Sequence, residues 1–236
     1  HYFTQFKDFK IVHEDTDKKF YLSKFSREGI NDLNYSVKED SYVCVVGTLI
    51  YKKKIGKDAL EDLHMDLQGN TIDTLIKNCD GPFCLIIKNS AGQQGLWIVT
   101  DHAGIINMYT YQSGSTCVIS SSSLSLSRNY AVTPEYSAIA QFLRTGNVYG
   151  SATIYKEIKV LEPASIYKFK DNFKNPLPLI TKYWESPITI NEKASLEESR
   201  DMLLNSLLNS FEIFSKENLI CDFTAGFDSR LNMAIL

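Results

Sequence analysis

The stretch Asp80-Gly-Pro-Phe-Cys-Leu-Ile-Ile87, continued by Leu96-Trp-Ile-Val-Thr-Asp-His-Ala-Gly104, decides how this chain folds. Asp80-Gly-Pro82 ends the preceding element, because these residues favour turns and proline lacks a backbone N–H. Residues 83–87 and 96–99 are apolar runs of strand length, and Asn89-Ser-Ala-Gly92 between them is typical of a turn. We therefore predict a β-hairpin, followed by a tight turn at Asp101-His-Ala-Gly104.

Weaker patterns on both sides of this hairpin predict further strands and a few helices. Strands are expected at 19–22, 41–49, 107–111 and 117–121, with another strand pair at 155–163 and 165–169. Helices are expected in two pieces over 58–79, and again over 134–144. The serine run at 120–123, extended by Ser125 and Ser127, is interpreted as a strand end and turn, not as a modification site.

A change in composition divides the chain. Asparagine, proline and lysine are concentrated between 170 and 190, so we place a first domain at 1–170, a linker at 171–194 and the start of a second domain at 195–236. Ser195-Leu-Glu-Glu198 is a capping box followed by an apolar stripe, which predicts a helix of about 20 residues. A strand at 219–223, a loop and a helix from Leu231 are expected next, so we expect an α/β unit interrupted one element past its loop.

The loop Thr224-Ala-Gly-Phe-Asp-Ser-Arg230 carries the residues best suited to bind phosphate. A strand, a loop of small residues and a helix present backbone N–H groups and the positive end of the helix dipole to an anion. Thr224, Gly226 and Ser229 supply hydroxyls or amides, Asp228 is a candidate ligand for Mg²⁺, and Arg230 is a candidate partner for phosphate oxygens. By itself, a loop with one glycine is also typical of an ordinary turn between a strand and a helix.

Composition excludes several classes of function. Of 236 residues, 44% are hydrophobic and 22% charged, which is ordinary for a globular protein. The formal net charge of −3 is too small to hold nucleic acid or an anionic membrane by charge alone, and no apolar run approaches the roughly 18 residues of a membrane span. Five cysteines without a CxxC motif indicate buried thiols in a reducing compartment. We therefore expect a cytoplasmic protein that binds neither nucleic acid nor a membrane.

Several of these motifs together resemble one family. Phe223-Thr-Ala-Gly-Phe-Asp-Ser229 resembles the S-G-G-x-D-S pyrophosphate loop of the asparagine synthetase-like ATP pyrophosphatases. Asp80-Gly-Pro-Phe-Cys-Leu-Ile-Ile87, Thr100-Asp-His-Ala-Gly-Ile-Ile-Asn-Met-Tyr109 and Val118-Ile-Ser-Ser121 resemble, in order and spacing, the glutaminase-type domain that precedes the loop in that family. The resemblance implies an α+β fold: an αββα Ntn-type two-sheet sandwich, then the beginning of an α/β domain like the adenine nucleotide α hydrolases.

The resemblance also implies a reaction and its ligands. The family adenylates a carboxylate with ATP, releases pyrophosphate, and lets an amine attack to form an amide. Carried over to this sequence, ATP and Mg²⁺ are the cofactors and an amino-acid or peptide carboxylate and an amine are the substrates. The residues implied to bind ATP and pyrophosphate are Thr224, Ala225, Gly226, Phe227, Asp228, Ser229 and Arg230, with Asp228 also holding Mg²⁺.

The glutaminase half departs from the family pattern. The family hydrolyses glutamine with an N-terminal Cys, whereas this sequence begins His1-Tyr-Phe-Thr and its first cysteine is Cys44, in a predicted strand. The Asn-Gly-Glu-Ile-Tyr pattern that grips glutamine in the family corresponds here to Val46-Gly-Thr-Leu-Ile-Tyr51. We therefore expect no catalytic residue and no glutaminase activity in this domain, as in the β-lactam synthetases and lasso-peptide cyclases.

Two other functions are compatible with the same sequence. In the first, the N-terminal domain is a peptide- or protein-recognition module and the ATP loop is residual. In the second, the chain is one part of a split ligase that a second chain completes.

Other polar groups are interpreted as structural. His102 beside Asp101 belongs to a hydrogen-bonded turn, Glu61, Asp62 and His64 to a solvated helix face, and the lysines at 52–54 and 57 to an exposed turn.

Overall fold

The computed structural model describes residues 3–16, 20–28, 34–89, 95–114, 116–169, 177–185, 194–215, 224 and 226–236. These residues belong to two compact units, His1–Glu185 and Ser186–Leu236. The strands of the described residues are β1 (Phe9–Thr16), β2 (Tyr21–Arg27), β3 (Tyr35–Lys38), β4 (Ser41–Gly47), β5 (Ile50–Tyr51), β6 (Lys54–Ile55), β7 (Cys79–Asp80), β8 (Phe83–Asn89), β9 (Gly95–Thr100), β10 (Tyr109–Ser113), β11 (Thr116–Ser120), β12 (Ile158–Val160), β13 (Ser165–Phe169) and β14 (Leu179–Lys182). The helices are α1 (Lys57–Asp66), α2 (Ile72–Leu75), α3 (Ser123–Asn129), α4 (Tyr136–Thr145), α5 (Leu196–Phe211) and α6 (Phe227–Ile235).

The first unit is built on a six-stranded sheet in the order β14-β13-β9-β8-β4-β3. Its centre is the predicted hairpin, because β8 and β9 pair antiparallel with Leu85 opposite Val99 and Ile86 opposite Ile98. Part of the turn between them, residues 90–94, lies outside the described residues. Successive side chains of a strand face opposite sides of the sheet, so an apolar run such as that of β8 must be covered on both faces.

Helices cover one face of this sheet and a second sheet covers the other. Leu60 and Leu63 of α1 share a buried cluster with Val43 and Leu85 of the sheet. On the opposite face, a second cluster joins side chains of the six-stranded sheet to Met108, Cys117 and Ile119, in or beside a three-stranded sheet of order β11-β10-β12. Leu126 of α3 packs on the outer face of that smaller sheet. The layers therefore run helix, sheet, sheet, helix, and are compatible with the expected α+β sandwich.

The expected strand pair at 155–163 and 165–169 is wrong, because the two strands belong to different sheets. β12 pairs with β10, whereas β13 pairs with β9 and β14. The chain changes sheets at Pro163, which cannot donate a ladder hydrogen bond, and at Ala164, which has a left-handed φ of 52°. The Thr100 hydroxyl stabilises this crossing by donating to the Glu162 carbonyl at 2.7 Å and accepting from the Ser165 N–H at 3.1 Å.

Two further expectations need correction. The serine run is not only a strand end, because residues Ser123–Asn129 form α3 and the Ser122 hydroxyl caps it by accepting from the Ser125 N–H. The segment expected to be a linker, 171–194, contains the edge strand β14, which pairs with β13 of the six-stranded sheet. Neither was predicted from local sequence, because the serines around α3 and the Asn-, Pro- and Lys-rich surroundings of β14 are typical of loops.

The second unit contains two described helices. The capping box at Ser195 and Glu198 is confirmed, and α5 with the single turn after it ends at Phe214. Its apolar stripe is exposed: the side chains of Met202 and Leu203 are 69% and 62% exposed. The predicted strand at 219–223 lies outside the described residues. The last helix begins at Phe227, four residues before the expected start at Leu231.

Candidate functional site

A cavity of about 650 Å³ opens between the two sheets of the first unit. β4 and β8 of the large sheet form one side, and Ile119, Ser120 and Ser121 at the end of β11 form another. The hairpin of β1 and β2 forms a further wall, and in the described residues those two strands pair only with each other. The volume lies within the range of about 300–1,000 Å³ that is usual for small-molecule sites.

Two tight turns shape one end of this cavity. Gly47 has a φ of 92°, and a Cβ there would lie 2.2 Å from the Pro82 carbonyl oxygen. Gly81 has a φ of 95°, and a Cβ there would lie 2.5 Å from the Thr48 carbonyl oxygen. The Thr48 N–H donates to the Pro82 carbonyl at 2.7 Å and joins the turns. Only glycine fits at both positions, because any side chain would be strained and would also meet backbone.

The buried Asp101 carboxylate organises the next turn. Its two oxygens accept from the N–H groups of Ala103, Ile105 and Ile106, each at 3.0 Å. These bonds carry the Ile106 side chain to Gly47, beside the cavity. The neighbouring His102 ring packs edge-on against Tyr183 and Trp184. The prediction of a hydrogen-bonded turn is confirmed for Asp101.

Among the described residues, one cysteine, Cys44, lines the cavity. Its side chain is buried, and none of the four described cysteines forms a disulfide. Burial raises the pKa of the nearby Cys84 thiol to about 12, and the Asp101 charge adds to the effect. A thiol acts as a nucleophile only when it ionises, so Cys84 is a packing residue. Cys221 lies outside the described residues.

The only buried histidine of the described residues lies in a hydroxyl–imidazole–hydroxyl cluster behind the sheet. The Ser36 and Ser41 hydroxyls lie 2.9 Å from Nδ1 and Nε2 of His64. Burial, with a smaller contribution from Lys38, lowers the pKa of His64 to about 4. The expected solvated position of His64 is therefore wrong. Its spacing from Leu60, Leu63 and Leu67 placed it on the apolar face of α1, and that periodicity could have revealed its burial.

The lysine-rich turn is neutralised by helix α1. Lys52 and Lys53 adopt left-handed φ values of 51° and 58° in the turn between β5 and β6. Lys52 pairs with Asp66 at 2.6 Å and Lys54 with Asp62 at 2.7 Å. Asp66 also accepts from the Tyr51 hydroxyl at 2.7 Å. The prediction of an exposed turn is confirmed, and its charges hold the turn against α1.

The predicted phosphate loop lies at the start of α6. The Ser229 hydroxyl donates to the Thr224 carbonyl at 2.9 Å and lies 3.0 Å from the Thr224 hydroxyl. The Thr224 hydroxyl also accepts from the Gly226 N–H at 3.3 Å. Gly226 is the cap residue of α6 and has no side chain to bond the first-turn N–H groups, so these remain able to bind an anion. Ala225 lies outside the described residues.

The charged residues of this loop are exposed. Because α6 begins at Phe227, Asp228 lies in its first turn. The Arg230 guanidinium lies 6.0 Å from the centre of the Phe227 ring, which is itself 87% exposed. No group of three or more His, Cys, Asp or Glu residues able to hold a metal ion occurs in the described part of the chain. A single carboxylate beside a phosphate site suits Mg²⁺, which binds through one or two carboxylates together with phosphate oxygens and water.

Comparisons with known proteins bear on the first unit. A family model described as a glutamine amidotransferase domain matches residues 64–184, just over half of the chain. The match runs from His64 through the Asp101 turn to the aromatic contacts of His102, and it does not reach the loop at 224–230. No curated protein matches the chain. None of the described helices is long and apolar enough to cross a membrane.

Proposed function

Because the chain belongs to the glutamine amidotransferase domain family, we propose that its first unit is an inactive Ntn-type member of that family and that the chain is the N-terminal part of an asparagine synthetase-like, ATP-dependent amide-forming ligase. The layer order of the first unit is compatible with an αββα arrangement. The observation that carries the ligase proposal is the Thr224–Ser229 hydrogen-bonded loop at an uncapped helix start.

In this proposal the loop binds the β- and γ-phosphates of ATP. The first-turn N–H groups of α6 and the hydroxyl of Thr224 donate to phosphate oxygens, while the Ser229 hydroxyl closes the loop on the Thr224 carbonyl. Arg230, exposed beside the loop, adds a charged partner, and Ala225 and Phe227 contribute backbone. Asp228 would hold Mg²⁺, which when bound offsets the charge of the leaving pyrophosphate.

The proposed reaction has two steps. A carboxylate oxygen attacks the α-phosphorus of ATP, the bond to the β-phosphate oxygen breaks, and pyrophosphate leaves an acyl-adenylate. An amine then attacks the acyl carbon, AMP departs with the former carboxylate oxygen, and the amine loses a proton to give the amide. Thr224 and Arg230 stabilise the charge that develops on pyrophosphate in the first step, and Ser229 holds the loop in the geometry that this requires.

The composition of the cavity supports loss of glutaminase activity. At the end of β4, Val46 and Thr48 occupy the positions that match Asn and Glu of the family pattern, and both line the cavity. No acidic side chain lines it in the described part of the chain, and those residues therefore offer no counterion to the α-ammonium group of glutamine. A buried ammonium without a partner is strongly unfavourable.

Exchange of labelled pyrophosphate into ATP, by the longer ligase that has this chain as its N-terminal part, tests the ligase proposal. We expect Mg·ATP binding by calorimetry, and exchange in the presence of an acceptor carboxylate. Asp228→Asn should abolish exchange, whereas Asp58→Asn should not, because Asp58 is the equivalent exposed second residue of α1. Failure of the wild-type chain to bind Mg·ATP, or equal loss in both variants, would contradict the proposal.

Exposed apolar surfaces favour a second candidate, a recognition module or one chain of a split ligase. Tyr136 and Leu143 of α4 are 75% and 78% exposed, and the stripe of α5 is exposed as well. Such patches commonly mark contact surfaces. A stable heteromeric complex in native mass spectrometry, or peptide binding without nucleotide that Asp228→Ala leaves unchanged, would select this candidate.

A further inference from the structure

The cavity between the sheets has a lining that points to a ligand unlike glutamine. Its apolar walls include Phe9, Leu22, Val46, Ile86 and Met108. Among the described residues, its charged lining side chains are Lys24 and Arg27, and no described Asp or Glu lines it. Hydroxyl groups of the lining come from Ser23, Ser26, Thr48, Ser120 and Ser121. The lining therefore combines apolar walls with two positively charged side chains.

Arg27 is the cation best placed to bind a charged ligand. It is the last residue of β2, opposite Phe9 of β1, and its side chain is exposed. In the described part of the chain its guanidinium has no carboxylate partner within ion-pair distance. A guanidinium offers a planar pair of donors that matches the two oxygens of a carboxylate.

We propose that this cavity binds an aliphatic monocarboxylate, with its hydrocarbon body between the sheets and its carboxylate on Arg27. The proposal rests on the proposed loss of glutaminase activity but does not depend on the ATP loop. A ligand with an ammonium group is rejected, because Lys24 and Arg27 repel it and none of the described lining residues is a carboxylate that would offset its desolvation.

The wall that carries Arg27 provides access for such a ligand. Within the described residues, the hairpin of β1 and β2 forms no strand pairing with the six-stranded sheet, and side-chain contacts join the two. Asp15 pairs with Lys88 at 2.7 Å, and the His13 ring contacts Tyr42 edge-on at 4.9 Å. Moving this wall would break these contacts without breaking a hydrogen bond of the large sheet.

Calorimetric titration of the full chain with octanoate tests the proposal. We expect one octanoate per chain, with affinity at least about tenfold higher than that of 1-octanol, because only octanoate pairs with the guanidinium. Octylammonium and glutamine should not bind. Arg27→Gln should lower octanoate affinity at least about fivefold and leave 1-octanol unchanged, while Arg144→Gln, at an exposed arginine of α4, should change neither.

A cavity-filling variant supplies the second measurement. Ile119→Trp, with an unchanged circular dichroism spectrum, should abolish octanoate binding; if it does not fold, the Arg27→Gln result decides alone. Absence of octanoate binding to the wild-type chain, several equivalent sites, insensitivity to Arg27→Gln, or displacement of octanoate by glutamine would each overturn the proposal. Glutamate release from glutamine would instead contradict the proposed loss of glutaminase activity, so the two failures are distinguishable.

Discussion

The imidazole of His64 is bonded at both nitrogens, and the bond to Ser41 identifies its tautomer. The Ser41 hydroxyl donates to the Lys38 carbonyl at 2.8 Å. It must therefore accept from Nε2–H of His64, 2.9 Å away, which leaves Nδ1 to accept from Ser36. His64 is thus neutral, and it ties α1 to the turn between β3 and β4.

This arrangement predicts a loss of stability in acid. The unfolded imidazole takes up a proton near its ordinary pKa of 6.5, whereas the folded one does so only near a pKa of about 4. The contribution is therefore complete above pH 6.5 and is lost as the pH falls from 6.5 towards 4, by about 3 kcal/mol in all. Urea unfolding at pH 7.5 and at pH 4.5 measures this change in the free energy of unfolding. His64→Gln should flatten this dependence and His102→Gln should not; equal slopes in all three proteins would contradict the assignment.

Gly47→Ala should destabilise the first unit by about 3 kcal/mol or more. The new methyl group would meet the Pro82 carbonyl oxygen at 2.2 Å, in a backbone conformation that alanine rarely adopts. Gly146→Ala is the control, because Gly146 has a φ of 75° but no other atom within 4 Å of the position that a Cβ would take, and should cost only about 1 kcal/mol. Chemical unfolding measures the free energy of unfolding of both variants. Similar losses of stability would contradict the role given to the close contact with the Pro82 carbonyl oxygen.

Asp101→Asn should also destabilise, by about 2–3 kcal/mol. An amide has one acceptor oxygen where the carboxylate has two, so at least one N–H among Ala103, Ile105 and Ile106 loses its partner. The exposed Asp80→Asn serves as control. Hydrogen exchange of the three amides should accelerate in the Asp101 variant alone; unchanged exchange would refute the role given to this carboxylate.

The ion pair between Asp15 and Lys88 should couple the β1–β2 hairpin to the sheet. Both side chains are largely buried, with 19% and 26% exposure, so a coupling of about 1 kcal/mol is expected. A double-mutant cycle with Asp15→Asn and Lys88→Met measures it by urea unfolding. The same cycle on the exposed pair Lys57 and Glu61, 3.5 Å apart, should give a smaller coupling free energy. A larger coupling there than between Asp15 and Lys88 would contradict the stabilising role given to the hairpin ion pair.

Ser229→Ala should weaken Mg·ATP binding by at least about fivefold, because the hydroxyl bonds the Thr224 carbonyl and closes the loop. Ser210→Ala removes a hydroxyl of α5 that donates to the Ser206 carbonyl at 2.8 Å and should leave nucleotide binding unchanged. Calorimetry distinguishes the two. Nucleotide binding that is indifferent to Ser229 would remove the main support for the loop.

Helix α6 was predicted correctly as an element, but its first residue was predicted wrongly. The sequence predicted a loop over Thr224–Arg230 and a helix from Leu231, but the helix begins at Phe227. Gly226, in an extended conformation, already serves as its cap. The shift matters chemically, since it places Asp228 in the first turn.

The sequence by itself determined the β8–β9 hairpin, the broken helix at 57–75 and the capping box at Ser195, because each depends on residues a few positions apart. Only the tertiary structure decided that β12 leaves β13 for β10, that His64 is buried between Ser36 and Ser41, and that Arg27 reaches the cavity lined by Val46. Those outcomes depend on contacts between segments far apart in the chain. Their free energy comes from burial and from pairing polar groups across the layers, which no local pattern records.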